Sequence, residues 1–325
     1  MKVIDLFSGC GGLSMGFENA GFEILLALDN MPVAVEIYKK NFDHDCQEHD
    51  LSDVSKTVEM LKGLDYDGII GGPPCQDFSS AGPRDPKGKR ANLTYSFMDT
   101  IIELQPKFFV MENVPTIKGT EILDDICERF QEVGYGLTAV ILNAALCGVP
   151  QRRKRFFLIG EQQSSNNKFI EILSQNLATK EMTVKDYFGD KIEFEFYYRH
   201  PRSYARRGVY TVDEPSATIR GVNRPIPPNY KKHNGDKADP SKQNVHVLSS
   251  MERAQIQTFP DDFILSNIKS KDQVLIGNAV PVKLGEFVAK ALKSGLNSRF
   301  PESKQPLLMP QSVLKYQAQR KLNFH

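Results

Sequence analysis

The chain has 325 residues, 40% of them hydrophobic and 25% charged, with a net charge of +1, which is material for one large domain or two of ordinary size. No apolar run approaches the roughly 18 residues of a membrane span, and residues 1–5 do not read as a signal peptide, so a cytoplasmic protein with no membrane contact is expected. The five cysteines (Cys10, Cys46, Cys75, Cys127 and Cys147) are never closer than 20 residues apart, which argues against a disulfide framework or a zinc site and leaves no metal expected.

In chain order, apolar runs predict strands at 3–7, 23–29, 68–71, 108–112, 137–143 and 155–160. Between them, apolar residues at helical spacing predict helices at 13–20, 33–42, 93–104 and 121–133. This alternation predicts an α/β fold with a doubly wound, mostly parallel sheet. Further helices are expected at 168–178, 249–259 and 282–292, and the last 28 residues form a polar, basic tail.

Three stretches carry chemistry. VIDLFSGCGG is a strand running into a glycine-rich turn, where Gly9, Gly11 and Gly12 let backbone amides approach a ligand. Asp29 ends the next strand, where a carboxylate can accept hydrogen bonds from a ribose. Ser14 occupies the third glycine position of the dinucleotide pattern, so a nucleotide-like cofactor without a pyrophosphate fits better; a turn that merely packs is the alternative. GGPPCQDFSSAG puts Cys75 after two glycines and two prolines, on a loop or at a strand end rather than on an apolar face. Residues 197–245 hold ten Lys/Arg against four Asp/Glu and six prolines, a net of +6 that leaves −5 for the remainder. Such a loop-rich basic segment is either a nucleic-acid footprint or a solvated face.

Read together, DLFSGCGG, GGPPCQDFS, ENV (112–114), QRRKR (151–155), ERAQIQTFPDDF (252–263) and IGNAVPV (276–282) make the chain resemble the DNA (cytosine-5)-methyltransferases, in particular the short bacterial modification enzymes. The resemblance implies a Rossmann-like fold that uses S-adenosyl-L-methionine and releases S-adenosyl-L-homocysteine. It also implies a smaller, loop-rich target-recognition domain. The expected division is 1–180 catalytic and cofactor-binding, 181–271 target recognition, 272–297 returning to the catalytic domain, and 298–325 tail.

Carbon 5 of cytosine is a poor nucleophile until a thiolate adds to carbon 6, and the resemblance assigns that thiolate to Cys75. Glu112 would engage ring nitrogen 3 and the exocyclic amine with a raised pKa. Arg153 would stand at the base carbonyl with Arg155 in support, both on one face of an extended segment. For the cofactor the resemblance carries over Phe7, Gly9 and Gly11, Asp29 for the ribose, Asp50 for the adenine amine and Pro74 as lining, with Asn278 and Val280 closing the pocket. Two departures stand out. Asn30 replaces an aromatic residue, leaving Met31 to contact adenine, and Gly88 stands where an aspartate is frequent.

Duplex DNA is the implied partner, bound through Gln76, Ser79, Arg90, Arg199, Arg202, Arg206, Arg207, Arg220 and Arg224, with the target base extruded. EPSATIRG (214–221) resembles the end of the recognition region, so Thr218 and Arg220 serve its framework as well. A monomer is expected, with a separately acting restriction endonuclease as an implied companion. A tRNA cytosine-5 methyltransferase and a nucleic-acid-binding homologue that has lost catalysis are the alternatives. A nicotinamide oxidoreductase is disfavoured by Ser14.

Overall fold

A computed structural model describes residues 1–74, 91–203, 206–297, 307 and 308. The expectations for Cys75, Gln76, Ser79, Gly88 and Arg90 fall outside these residues. The chain divides into two compact units: residues 1–142, 154–177 and 285–325 form the first, and 143–153 with 178–284 the second. Residues 143–153 and 272–284, expected in the catalytic part, group with the second unit.

The first unit is built on a seven-stranded sheet. In chain order its strands are β1 (Lys2–Leu6), β2 (Glu23–Asp29), β3 (Asp45–Glu48), β4 (Gly68–Gly71), β5 (Phe108–Asn113) and β6 (Tyr135–Asn143). After the two-residue β7 (Gln151–Arg152) of the second unit comes β8 (Lys154–Gln162), and the order across the sheet is β3-β2-β1-β4-β5-β8-β6. Strands β1 to β5 pair in parallel, and β8 runs antiparallel to β5. Buried on both faces, β4 reads as GIIG and β5 as an apolar run, FFVM, that ends in the buried Glu112 and Asn113.

Helices α1 (Gly12–Asn19), α2 (Pro32–Asn41), α3 (Val54–Leu61), α4 (Ala91–Leu104) and α5 (Glu121–Glu132) connect the strands, and α6 (Ile170–Asn176) and α7 (Val184–Phe188) follow β8. The chain steps outward from β1 through β2 to β3, then returns to β4 on the other side of β1. That reversal is the switch point, where ligands bind beyond the carboxyl ends of strands in doubly wound sheets. Both the glycine-rich turn, which leaves β1, and the Gly72–Pro74 exit from β4 lie at this point.

The core behind the site includes Ile4, Leu6, Ile69, Phe97, Phe109, Met111, Phe130 and Tyr135, with the Phe109 and Phe130 rings 4.2 Å apart. The α/β, doubly wound expectation therefore holds, with each predicted strand and helix present to within a few residues at its ends.

The second unit is less regular. Among the described residues it carries β9 (Phe196–Tyr198) between β10 (Val209–Thr211) and β12 (His246–Val247), and a parallel pair of β7 with β11 (Ser216–Ala217). Helix α8 (Ser250–Ile256) starts at a capping box formed by Ser249 and Glu252, and α9 (Lys269–Asn278) follows. Tyr198, Val209 and Ala238 make a small core of its own. Helix α10 (Val282–Leu296), the last among the described residues, passes to the first unit from Gly285.

Candidate active site

The turn after β1 is buckled to the end of β2. The Gly9 amide donates to Asp29 Oδ2 at 2.8 Å, and the Met31 amide to Oδ1 at 2.9 Å. Phe7 sits at φ 61°, a left-handed conformation that costs a bulky residue of order 1–3 kcal/mol and clusters at ligand clamps. Gly11, at φ 86°, has no alternative, since an added Cβ would lie 2.3 Å from the Phe42 ring. An added Cβ at Gly9 would meet nothing within 4 Å, so the backbone there faces open space.

Burial raises the Asp29 carboxyl pKa against the opposing amides of Met31 and Gly9, and Met31 is exposed beside it. Asp50 is exposed, and the Ser52 amide on its Oδ1 holds its pKa below the ordinary value. Pro74 is half-buried at the β4 exit. A backbone cradle, a carboxylate at a strand end and an exposed apolar side chain fit the nucleoside end of S-adenosyl-L-methionine. Of the other two residues expected at the cofactor, Asn278 is exposed at the end of α9 and Val280 is buried, both in the second unit.

Sequence reasoning missed what lies under this turn. Ser14 donates to Asp5 Oδ2, the Tyr38 hydroxyl donates to Ser14 at 2.6 Å, His44 Nε2 lies 2.7 Å from that hydroxyl, and His44 Nδ1 is 3.0 Å from Glu18. A chain of polar groups thus runs from a wholly buried carboxyl to the surface. Burial, with the charge of Asp29 adding to it, pushes the Asp5 pKa up to about 7. The signal was Ser14 itself: a hydroxyl where a glycine is usual implies a partner beneath the turn.

At the neighbouring exits, Glu112 near the end of β5 is buried, and its Oε1 lies 2.8 Å from Arg155 Nε on β8. Burial lowers the Arg155 pKa while Glu112 opposes the shift. An added Cβ at Gly72 would stand 3.2 Å from Glu112 Oε2, so the chain leaving β4 runs directly past this carboxylate. Asn113 donates through Nδ2 to the Pro73 carbonyl at 3.3 Å and accepts the Val114 amide, clamping that exit.

The two arginines expected on one face serve different elements. Arg153 is 1% exposed, and its guanidinium donates to the carbonyls of Ile219, Gly277 and Ala279 at 2.8–3.1 Å. Beside it the Gln151 side chain bonds Gln257 Oε1 and the Ile219 amide, and Gln257 reaches the Ile276 carbonyl. The recurring residues of QRRKR, TIRG, ERAQIQ and IGNAV therefore meet as one buried polar node in the second unit. Arg153, expected at the base carbonyl, gives Nη1 and Nη2 to three backbone oxygens, whereas Arg155, expected in support, is the arginine held against Glu112.

The arginines expected at DNA also sort by partner. Arg199 donates through Nε and Nη2 to the Thr218 carbonyl, and Arg220 donates to the His200 carbonyl at 2.8 Å. Arg207 pairs with Glu214 at 2.6 Å and stacks on Tyr210. Arg202, Arg206 and Arg224 are exposed. The Thr218 hydroxyl donates to the Arg152 carbonyl at 2.9 Å.

The four cysteines among the described residues are all buried, and burial pushes the Cys46 and Cys127 thiols up to about 12. None of these four offers the accessible, electropositive setting a nucleophilic thiolate needs. Among the described residues, no cluster of three or more His, Cys, Asp or Glu side chains could hold a metal ion, and no helix is long and apolar enough to cross a membrane.

The profile of the C-5 cytosine-specific DNA methylases matches residues 1–294. The Type II methyltransferase M.HindV of Haemophilus influenzae is 54% identical over 292 residues, covering 90% of this chain and 96% of its own length. M.HgiDI of Herpetosiphon aurantiacus, also a Type II methyltransferase, is 47% identical over 310 residues, covering 95% and 99%. The solved Entamoeba histolytica methyltransferase EhMeth matches 92% of this chain and 99% of its own at a TM-score of 0.70 and 19% identity, a likeness of fold.

Proposed function

The chain belongs to the C-5 cytosine-specific DNA methylases, and from that premise we propose that it methylates carbon 5 of one cytosine within a short duplex DNA sequence, as the modification partner of a Type II restriction endonuclease. One observation carries the reading: the Glu112–Arg155 pair flanks Gly72, three residues before Cys75. Bound at the turn of Phe7, Gly9 and Gly11 with Asp29 on its ribose, S-adenosyl-L-methionine would supply the methyl group and leave as S-adenosyl-L-homocysteine.

The chain's own residues prepare the base. The duplex hides carbons 5 and 6 in the stack, so the cytosine is extruded at a cost of a few kcal/mol, offset by contacts to the phosphates. The Cys75 thiolate adds to carbon 6, and the electron pair moves toward ring nitrogen 3. Glu112 meets it there with a hydrogen bond and a proton, which leaves carbon 5 nucleophilic. Arg155 orients Glu112 and faces the base carbonyl, the role the sequence reading gave to Arg153. After methylation a water-derived base removes the carbon-5 proton, and the carbon–sulfur bond breaks to return the thiolate.

Transfer of labelled methyl groups to random-sequence duplex DNA, followed by bisulfite sequencing, tests the activity and gives the target together. Cys75→Ala should abolish transfer while cofactor affinity stays within about twofold, and the wild-type chain should form a covalent adduct with fluorocytosine-containing duplex. Robust turnover by Cys75→Ala, or transfer to tRNA in preference to duplex DNA, contradicts the proposal.

A further inference from the structure

Beneath the glycine-rich turn, a buried acid is wired to the surface. Asp5 on β1 is 0% exposed; Ser14 bonds its Oδ2, and its Oδ1 has no hydrogen-bond partner among the described residues. Ser14 and Tyr38 are as fully enclosed, whereas His44 is half-buried and its partner Glu18 reaches solvent. An added Cβ on Gly11 would stand 3.0 Å from the Tyr38 ring and 2.3 Å from Phe42, which stacks on Tyr38 at 4.2 Å. The chain of polar groups is therefore packed against the turn itself.

Its hydrogen bonds can run in either direction. With the proton on Asp5, Oδ2–H donates to Ser14, Ser14 to Tyr38 and Tyr38 to His44 Nε2, while Nδ1–H donates to Glu18. With the proton on His44, every bond between His44 and Asp5 reverses, and Nδ1–H still donates to Glu18. Each hydroxyl donates once and accepts once in both arrangements, so a proton crosses by switching bonds rather than by moving side chains. The imidazolium then sheds its Nδ1 proton to Glu18 or water. The ionisable groups facing Asp5 are Asp29 on β2, Tyr38 on α2 and Cys46 on β3, and none is a cation. Burial and the Asp5 charge raise the Tyr38 and Cys46 pKa values, which leaves both neutral at physiological pH. A carboxylate with one bare oxygen is costly in such a site, so the neutral acid is favoured until a cation is near.

We propose that Asp5 is the counter-charge for a cationic cofactor bound at the turn, and that Ser14, Tyr38 and His44 relay its proton to solvent. The inference rests on the reading of the turn as the site of S-adenosyl-L-methionine. That cofactor carries a sulfonium cation, and S-adenosyl-L-homocysteine lacks the charge. Asp5 loses its Oδ2 proton through the relay as the cation binds. It regains one by the same route once methyl transfer has removed the charge. Opposite charges about 10 Å apart in a polar protein interior favour association roughly tenfold, so an ionised Asp5 prefers fresh cofactor over spent product. Asp5 precedes Phe7 by two residues, which brings its charge close to the turn without direct contact.

Calorimetric titration with each of the two compounds, in buffers of different ionisation enthalpy, counts the protons released on binding. Asp5 in the free chain has a pKa of about 7. At about pH 6.5, S-adenosyl-L-methionine should therefore release about half a proton more than S-adenosyl-L-homocysteine, whose identical α-amino group cancels in the comparison. The preference for the cation should climb about tenfold from about pH 5 to about pH 8, as Asp5 ionises. Asp5→Asn should release no excess and show a preference independent of pH. Tyr38→Phe keeps the ring but breaks the relay, so the same proton should appear but trail binding by about tenfold or more in stopped flow with a pH indicator. His44→Gln, at the solvent end, should behave alike. Equal release by the two compounds in wild type, or an excess that survives Asp5→Asn, overturns the counter-charge. Release in step with binding in Tyr38→Phe and His44→Gln overturns the relay. If neither compound binds, it is the reading of the turn as the cofactor site that fails.

Discussion

Arg153 and Arg155 stand two positions apart, and their chemistry separates cleanly. Arg153 is held by three backbone carbonyls, so Arg153→Ala should destabilise the second unit by about 3–5 kcal/mol, read as a lower denaturant midpoint. Lysine should rescue it poorly, since one ammonium cannot reproduce the fork. Arg155→Ala should instead cut turnover by at least about a hundredfold with a smaller loss of stability, because it releases Glu112. Equal effects of the two variants on turnover and stability would contradict this division. The alternation of Arg153 and Arg155 was legible in QRRKR, but their partners lie 66 to 126 residues downstream or 43 upstream, and only the folded chain assigns them.

Asp5 gives a second test at the same scale. Its folded pKa of about 7 exceeds the ordinary 3.8, so the folded chain holds a proton that the unfolded chain releases. That contribution to stability is fully present below about pH 4 and lost as pH rises through 7, on the order of 4 kcal/mol across the window. Asp5→Asn lacks it, so its stability relative to wild type should climb between pH 4 and 7 and then level off in chemical denaturation. A constant difference would mean that Asp5 does not titrate in this range.

Among the elements, most with apolar periodicity were legible and those without it were not, although α3 went unread despite apolar residues at 54, 58 and 61. The runs KVIDL, EILLALD and FFVMEN announce β1, β2 and β5 because both faces of the sheet are covered. Strand β3, DCQE, buries Cys46 alone and pairs at the sheet edge, so its sequence carries no strand signal. Helix α9 buries Asp272, Gln273, Leu275, Ile276 and Gly277, a nearly contiguous set with two polar members that helical spacing cannot reveal. Gly72, just past β4, tests whether the strand exit positions the carboxylate. Gly72→Ala presses on Glu112 Oε2 from 3.2 Å, so kcat should fall by about tenfold or more while cofactor KM and thermal midpoint change little. A fall in stability that matches the fall in kcat would make the contact a packing requirement instead.

Across the whole molecule, charge and structure divide along the same line. Residues 197–245, with a net of +6, fall wholly within the second unit, whereas the turn, Asp29, Glu112 and Arg155 belong to the first. The segment's basic composition was readable, but its arginines could not be ranked, because each is defined by an acceptor distant in sequence. If DNA binds the second unit and the cofactor the first, as proposed, the two substrates should respond differently to ionic strength. Neutralising phosphates releases counterions, and six to ten such contacts cost about three to five orders of magnitude in affinity between 50 and 200 mM salt. In the proposed binding mode the cofactor, held by backbone amides and one carboxylate, would release almost none. Steady-state kinetics over that range should therefore show a steep rise in KM for DNA with a nearly flat KM for S-adenosyl-L-methionine. If the two constants rise in parallel, salt is acting on the fold shared by both sites, and the charge of the second unit is a solvated face.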